Sequence, residues 1–176
     1  MIPEVHGRRT TIPISVAFGC PYDGPVPVDA VAQLASEAAE TGASEVALGD
    51  TIGVAVPSAV QATVDAVQRV TNVPLRYHFH ETRNTAVANV VAAHRCGIAT
   101  VDASVGGAGG CPFAPNATGN VATEDLLYLF DRMGPATGID PLQTIATTRW
   151  LERCLGRELP SSVARARWWP MRDTRH

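Results

Sequence analysis

The chain has 176 residues, of which 45% are hydrophobic and 18% charged, and its net charge is −3. This length supports one domain with a substantial core, and the composition is that of a globular protein. The small negative charge provides no electrostatic footprint for nucleic acid or an anionic membrane surface. No apolar run approaches the roughly 20 residues that cross a bilayer. We therefore expect neither a nucleic acid nor a membrane as partner.

The amino terminus and the cysteines indicate the compartment. The first residues, MIPEVHGRRT, lack the apolar segment of a secretory signal. The four cysteines are widely spaced and form no CxxC pair, which suits reduced thiols better than a disulfide framework. These features predict a soluble, cytoplasmic protein.

Four short apolar or β-branched segments alternate with segments in which apolar residues recur at helical spacing. The predicted strands are 12–18, 45–49, 73–79 and 100–105, and the predicted helices are 28–41, 57–70, 83–96, 121–133 and 141–156. Such a rhythm is typical of repeated βα units with parallel strands. Four units are half of a (β/α)8 TIM barrel, for which about 250 residues is typical. The sequence thus predicts an α/β fold: half a TIM barrel, followed by two carboxyl-terminal helices.

The chain divides into three segments in this interpretation. Residues 1–11 lead in, residues 12–160 form the half barrel, and residues 161–176 form a basic tail. The tail has four arginines among its last twelve residues and two adjacent tryptophans. A nucleic-acid-binding arm would fit this composition, but we predict a disordered tail and assign it no function.

Polar or glycine-rich clusters follow each predicted strand, where ligands bind in parallel α/β folds. His78 and His80 lie at the end of the third strand, in HFHET. Residues i and i+2 of a strand face the same side, about 6–7 Å apart, so both imidazoles can bind one divalent metal ion. Two histidines that are merely held by hydrogen bonds in a loop would show the same pattern.

The segment VGGAGGCPFAPNATGN (105–120) places four glycines just before Cys111. A cysteine on a mobile, exposed loop can act as a proton donor or nucleophile, although the cysteine alone favours an ordinary small residue in a flexible turn. The dinucleotide-binding fingerprint does not fit, because proline stands where its third glycine belongs. Asn120 precedes a predicted helix and can bind an oxygen-preferring metal or cap that helix; capping is the default interpretation.

Acidic residues complete the set of candidates. Asp50, in LGDTIG, ends the second strand, where it can form a turn or cap, or accept a proton and orient a ligand. Glu124 and Asp125 fall in the first turn of a predicted helix, where negative charge is favoured in any case. Structural roles therefore stand beside catalytic ones for these carboxylates.

Five segments, in order, resemble the carboxyl-terminal half of the hydroxymethylglutaryl-CoA lyases, within the metal-dependent Claisen-type lyase and aldolase superfamily. They are FGCPYDG, SEVALGDTIG, HFHET, DASVGGAGGCPFAPNATGNVATEDLLY and LGRELPSSVARA, and they lie within residues 12–166. The combination of HxH with GGCPFAP and TGN is specific, since the isopropylmalate and homocitrate synthases share the HxH but not the cysteine loop.

The resemblance implies a barrel that binds Mg²⁺ or Mn²⁺ and an acyl-CoA substrate. The implied metal ligands are His78, His80 and Asn120. The implied catalytic residues are the loop cysteine Cys111 and two assisting acids, Asp50 and Glu124. The implied reaction is retro-Claisen cleavage of 3-hydroxy-3-methylglutaryl-CoA to acetyl-CoA and acetoacetate, a step of leucine degradation.

One part of the family pattern is missing. The family's aspartate ligand lies in an Arg-Asp motif at the end of the first barrel strand, and nothing here corresponds to strands one to four. The pair Arg172 and Asp173 follows no strand and is a coincidence. We therefore expect a truncated chain that is inactive alone, with a homodimer or a complementing half-barrel chain as partner.

Three alternatives stay open. The substrate can be a related 3-hydroxyacyl-CoA with a longer or differently branched acyl group. The chain can be a non-catalytic half barrel that binds a partner chain. An amidohydrolase-type hydrolase also uses HxH, but it needs further histidines on later strands, and His6, His94 and His176 end no predicted strand.

Overall fold

A computed structural model of the protein describes residues 9–110 and 119–170. These residues divide into two compact units. Residues 9–102 belong to the first unit, and residues 103–110 and 119–170 belong to the second.

The first unit is a four-stranded parallel sheet with three helices. Its elements are β1 (Thr11–Ile14), α1 (Val28–Glu40), β2 (Glu45–Asp50), α2 (Pro57–Val70), β3 (Leu75–Phe79), α3 (Ala86–Arg95) and β4 (Thr100–Asp102). The strands pair in chain order, β1-β2-β3-β4, and each pairing is parallel. The predicted alternation of parallel strands and helices is therefore confirmed.

The two central strands differ in how their side chains are buried. In β2 all residues but Gly49 are buried, as is typical of a parallel strand covered on both faces. In β3 burial alternates: Tyr77 and Phe79 are buried and stack with ring centroids 5.0 Å apart, whereas Arg76 and His78 are half-buried. Because side chains alternate along a strand, this pattern places His78 on the face opposite the aromatic layer.

Strand β1 is shorter than the predicted 12–18 and ends at Ile14. The cause is Val16, whose φ of 52° lies in the left-handed region that a β-branched residue rarely adopts. The Val16 N–H donates a hydrogen bond to Thr51 Oγ1 over 2.8 Å, which ties this turn to the segment after β2. The predicted strand therefore gives way to a turn at the carboxyl end of the sheet.

The second unit is helical. It contains a 3-10 turn (Val105–Gly107), α4 (Thr123–Met133), α5 (Pro141–Leu155) and α6 (Ser162–Ala166). The two consecutive helices expected from the sequence are thus present. Helix α5 begins where Asp140 Oδ1 accepts hydrogen bonds from the N–H groups of Leu142 and Gln143, with Pro141 in the first turn.

The predicted disorder of the tail is wrong for residues 161–170. Ser161 caps α6, and the carboxylate of Asp125 accepts hydrogen bonds from Ser161 Oγ and from the Val163 N–H at 2.9 and 2.8 Å. Trp168 is buried and packs edge-on against Tyr128, with ring centroids 5.3 Å apart. The basic composition of the tail gave no indication that Trp168 is buried. Residues 171–176 lie outside the described residues.

The sequence predicted neither a membrane-spanning helix nor a disulfide. Among the described residues no helix is long and apolar enough to span a membrane. The three cysteines within the described residues, Cys20, Cys96 and Cys154, are free thiols.

Candidate metal and catalytic site

Two imidazoles converge at the carboxyl end of β3. The Nε2 atoms of His78 and His80 lie 3.2 Å apart, and the ring centroids lie 5.1 Å apart. His78 is half-buried and His80 is buried. The i, i+2 spacing therefore brings the two rings to one point, as the sequence predicted.

The other ring nitrogens of this histidine pair have acceptors. His80 Nδ1 lies 2.6 Å from the carbonyl oxygen of Thr51, and His78 Nδ1 lies 3.4 Å from Asp102 Oδ2. The Thr51 carbonyl only accepts hydrogen bonds, so His80 Nδ1 carries a proton and His80 Nε2 is the acceptor nitrogen of that ring. The 3.2 Å between the two Nε2 atoms is a hydrogen-bond distance, and the tautomer of His78 decides whether His78 Nε2 donates there. With its proton on Nδ1, toward Asp102, His78 would leave both Nε2 lone pairs free for a cation.

The histidine pair fits a divalent metal ion. In an octahedral shell with ligands about 2.1 Å from the ion, neighbouring ligands are about 3.0 Å apart, close to the 3.2 Å between the Nε2 atoms. Imidazole nitrogen is a ligand for first-row divalent metals, including Mn²⁺. Among the described residues, however, no group of three or more histidine, cysteine, aspartate or glutamate side chains is arranged to hold a metal. By themselves the two imidazoles are therefore not a complete metal site.

A cavity of about 310 Å³ opens beside the histidine pair. Small residues of β2 and of the turn after β1, including Ser15, Ala47 and Gly49, leave this space free, and the two histidines and Asp102 form its polar side. The cavity thus combines a polar wall with a small apolar wall, as ligand sites commonly do.

A chain of ion pairs, which the sequence did not reveal, leads to His78. Arg76 Nε lies 2.8 Å from Glu45 Oε2, and Arg76 Nη1 lies 3.0 Å from Asp102 Oδ1. Asp102 Oδ2 in turn faces His78. The alternation of side chains in LRYHFH could have indicated that Arg76 lies on the same side of β3 as the histidines. It could not have identified Glu45 and Asp102 as the partners of Arg76, because these depend on the register of β2 and β4.

Asp50 is fully buried, and its carboxylate holds the loop after β2. Its oxygens accept hydrogen bonds from the N–H groups of Val54 and Ala55 at 2.8 and 3.1 Å. Burial raises the pKa of the Asp50 carboxyl above its ordinary value of 3.8, although these two hydrogen bonds act in the opposite direction. This loop also presents the Thr51 carbonyl to His80, so the structure gives Asp50 a positioning contact and leaves a chemical role as a prediction.

The raised pKa of Asp50 predicts how the variant Asp50→Asn changes the pH dependence of stability. A carboxyl whose pKa is raised by folding favours the folded state below its unfolded pKa of about 3.9, and this advantage is lost as the pH rises through the folded pKa. The free energy of unfolding of the wild type minus that of the variant should therefore decrease as the pH rises. Urea unfolding at a series of pH values measures it, with the exposed Asp65→Asn as control. A difference that is constant or increases with pH contradicts this prediction.

In the second unit, Asn120 does not cap α4, contrary to the default interpretation. The N-cap of α4 is Ala122, with no side-chain cap. Asn120 Nδ2 instead donates to the Ala108 carbonyl over 3.3 Å. Among the described residues no hydrogen bond is made to Asn120 Oδ1, and this is the atom that would bind a metal.

Glu124 is fully buried and supports the start of the glycine-rich segment. Both of its carboxylate oxygens accept the Gly106 N–H, at 3.1 and 3.0 Å, and Thr148 Oγ1 donates to Oε1. Gly106 has a φ of 66°, and a Cβ there would lie 2.9 Å from the Thr148 methyl carbon. This end of the segment is thus packed, contrary to the mobility expected from its glycines, while Cys111 lies outside the described residues.

Parallel βα units with a histidine pair at a strand end define a class of protein: an α/β half barrel with two imidazoles at the carboxyl end of its sheet. A family model described as HMGL-like matches residues 5–151. Because the match covers most of the sequence, the chain belongs to the HMGL-like family.

The chain is similar to several lyases over about half of their length. The (R)-citramalyl-CoA lyase of Chloroflexus aurantiacus is 47% identical over 161 residues, which are 91% of this chain and 51% of that protein. A hydroxymethylglutaryl-CoA lyase of Bacillus subtilis is 42% identical over 149 residues, 84% of this chain and 50% of that protein. A solved hydroxymethylglutaryl-CoA lyase of Acinetobacter baumannii, in complex with coenzyme A and 3-methylmalate, superposes with a TM-score of 0.85 at 37% identity, covering 92% and 54% of the two chains. The predicted resemblance and the half-barrel fold are confirmed.

Proposed function

We propose that this chain carries the histidine half of the active site of a divalent-metal-dependent carbon–carbon lyase that cleaves 3-hydroxy-3-methylglutaryl-CoA to acetyl-CoA and acetoacetate. The observation that carries this proposal is the convergence of His78 Nε2 and His80 Nε2 within 3.2 Å. Membership of the HMGL-like family and the coenzyme A complex of a similar structure support an acyl-CoA substrate.

The donor set favours Mg²⁺ or Mn²⁺, held by His78, His80 and Asn120 together with a further oxygen ligand. Such an ion supplies Lewis acidity toward the hydroxyl and carboxylate oxygens of the substrate. His78 and His80 would bind the ion through Nε2, with Asp102 and the Thr51 carbonyl facing their Nδ1 atoms. The residues of the cavity wall place the substrate beside this pair.

The proposed cleavage requires one proton acceptor and one proton donor. A base removes the proton of the C3 hydroxyl, the electrons of the C2–C3 bond pass to the departing acetyl-CoA enolate, and C3 becomes the ketone of acetoacetate. An acid then protonates the enolate carbon, and we assign this proton to the Cys111 thiol. Asp50 and Glu124 assist through the loops that they hold: Asp50 supports the loop that contains Thr51, and Glu124 supports Gly106.

A second candidate substrate is citramalyl-CoA, because the (R)-citramalyl-CoA lyase is 47% identical to this chain. In citramalyl-CoA the carboxylate is attached directly to the carbon that bears the hydroxyl and methyl groups. In 3-hydroxy-3-methylglutaryl-CoA one methylene separates the carboxylate from the carbon that bears the hydroxyl and methyl groups. The same bond cleavage then yields acetyl-CoA and pyruvate in place of acetoacetate.

A third candidate is a half barrel that works only with a partner chain, as a homodimer or with a complementing half. The chain spans about half the length of its relatives, and the histidine pair is only part of a ligand set.

We further propose that the covered half is the carboxyl-terminal one, that the protein is cytoplasmic, and that leucine degradation is its pathway.

The decisive experiment measures acetoacetate and pyruvate release from the two acyl-CoA substrates with Mn²⁺ or Mg²⁺. The purified chain is assayed alone and with the half of the Bacillus subtilis relative that it does not cover. We expect release only in the complemented sample, abolished by His80→Ala and by EDTA. Pyruvate as the main product would select the citramalyl-CoA reaction, and no release of either product in both samples would overturn the proposed function.

A further inference from the structure

We infer that Asp102 is a positioning residue of the histidine pair: it fixes His78 in the tautomer whose Nε2 can bind a cation. The inference deepens the proposed function, on which it rests for the presence of a metal. It is carried by the contacts that Asp102 makes with two neighbours in the first unit, Arg76 and His78.

Strand register places Asp102 beside His78. The last residue of β4 pairs with His78 of β3 in the parallel ladder. Asp102 Oδ2 lies 3.4 Å from His78 Nδ1, while Asp102 Oδ1 lies 3.0 Å from Arg76 Nη1. Each carboxylate oxygen therefore serves one partner, and the oxygen that faces His78 can only accept a proton.

Arg76 keeps this carboxylate in its orientation. Its Nε lies 2.8 Å from Oε2 of Glu45, which is buried and also accepts a hydrogen bond from Thr11 Oγ1 at 2.9 Å. The guanidinium is thus held from both sides by its planar donor set. Asp102 cannot turn away from His78 without losing its charged hydrogen bond to Arg76.

The two histidines differ in the groups that orient them. His80 Nδ1 faces a neutral carbonyl, that of Thr51, whereas His78 Nδ1 faces a carboxylate. Carboxylate partners of ligating histidines fix the tautomer and raise the basicity of the ligand nitrogen, and their loss costs about 10- to 100-fold in metal affinity. His78 is also the more exposed ring of the pair, so it depends more on such a partner.

The variant Asp102→Asn separates this role from simple packing. Asparagine has the shape of aspartate but only one acceptor oxygen, and Arg76 has only donors to offer. The side-chain oxygen must therefore face Arg76, and the NH₂ group then faces His78 Nδ1. His78 must accept there, its proton moves to Nε2, and the nitrogen that faces His80 is no longer free.

The first measurement is the tautomer of His78 by long-range ¹H–¹⁵N correlation NMR, on metal-free protein in which His80→Ala has removed the second imidazole. We expect the Nδ1–H form with Asp102 and the Nε2–H form when Asp102→Asn is added. A merely structural contact would not change the tautomer. The Nε2–H form already present with Asp102, or an unchanged Nδ1–H form after Asp102→Asn, would overturn the inference.

The second measurement is Mn²⁺ affinity by electron paramagnetic resonance of free Mn²⁺, on the otherwise wild-type chain. We expect Asp102→Asn to weaken binding by about 10- to 100-fold and the matched surface variant Asp65→Asn to leave it unchanged. Equal affinities of Asp102→Asn and wild type would overturn the inference. If the wild type binds no Mn²⁺ while the tautomer still switches, the positioning role stands and the metal of the proposed function fails.

Discussion

Replacing His80 with alanine is expected to lower the Mn²⁺ affinity of the chain by more than about 100-fold. Loss of a residue that only orients a metal ligand costs about 10- to 100-fold, and loss of the ligand itself should cost more. The reason is that His80 supplies one of two imidazole nitrogens that lie 3.2 Å apart, and the remaining ligand would face an apolar gap. Titration of Mn²⁺, with the free ion detected by electron paramagnetic resonance, measures this affinity directly.

The matched control for His80→Ala is His94→Ala. His94 lies on α3 (Ala86–Arg95), outside the histidine pair, and its replacement removes the same side chain. The control should bind Mn²⁺ as the wild type does. Equal losses in the two variants, or no loss in His80→Ala, would show that the ion binds elsewhere and that the convergence of the imidazoles has another cause.

The elements of the first unit could be predicted because their signals are local. Apolar residues at helical spacing and β-branched runs fix helices and strands over a few residues, and β2, β3 and α2 begin within two residues of their predicted starts. The histidine pair was predictable for the same reason, since the spacing i, i+2 defines one face of a strand without knowledge of any partner. Its convergence therefore required no tertiary information.

The ion pairs around His78 were not predictable, because their partners are distant in sequence. Arg76 is separated from Glu45 by 31 residues and from Asp102 by 26. Which residues of neighbouring strands face each other depends on register, and a shift of one residue would turn Asp102 to the opposite face. The sequence shows Asp102 only as an acidic residue in a short strand.

The carboxylates of Asp50 and Glu124 show a second limit. Their positions fitted both structural and chemical roles, and the sequence offers no means to see which N–H groups they accept. In the structure Asp50 binds the Val54 and Ala55 amides, and Glu124 binds the Gly106 amide. Because these donors belong to the backbone of irregular segments, no residue type marks them in advance.

The variant Glu124→Ala is expected to destabilise the second unit by about 3–5 kcal/mol, because it leaves the buried Gly106 N–H without an acceptor, removes one of the two acceptors of the Thr148 hydroxyl and creates a cavity at a fully buried position. Trp150, Trp168 and Trp169 all belong to this unit. Their fluorescence during urea unfolding therefore reports its stability.

Two further variants, Glu158→Ala and Glu124→Gln, serve as controls for Glu124→Ala. Glu158 is exposed, so Glu158→Ala should change the free energy of unfolding by less than about 0.5 kcal/mol. Glu124→Gln keeps the volume and one acceptor oxygen, and should cost about 1–2 kcal/mol. If the glutamine variant is stable but its complemented enzyme is inactive, the charge of Glu124 takes part in the chemistry. If the alanine variant is as stable as wild type, the hydrogen bonds to Gly106 do not hold the segment that leads to Cys111, and the supporting role proposed for Glu124 is wrong.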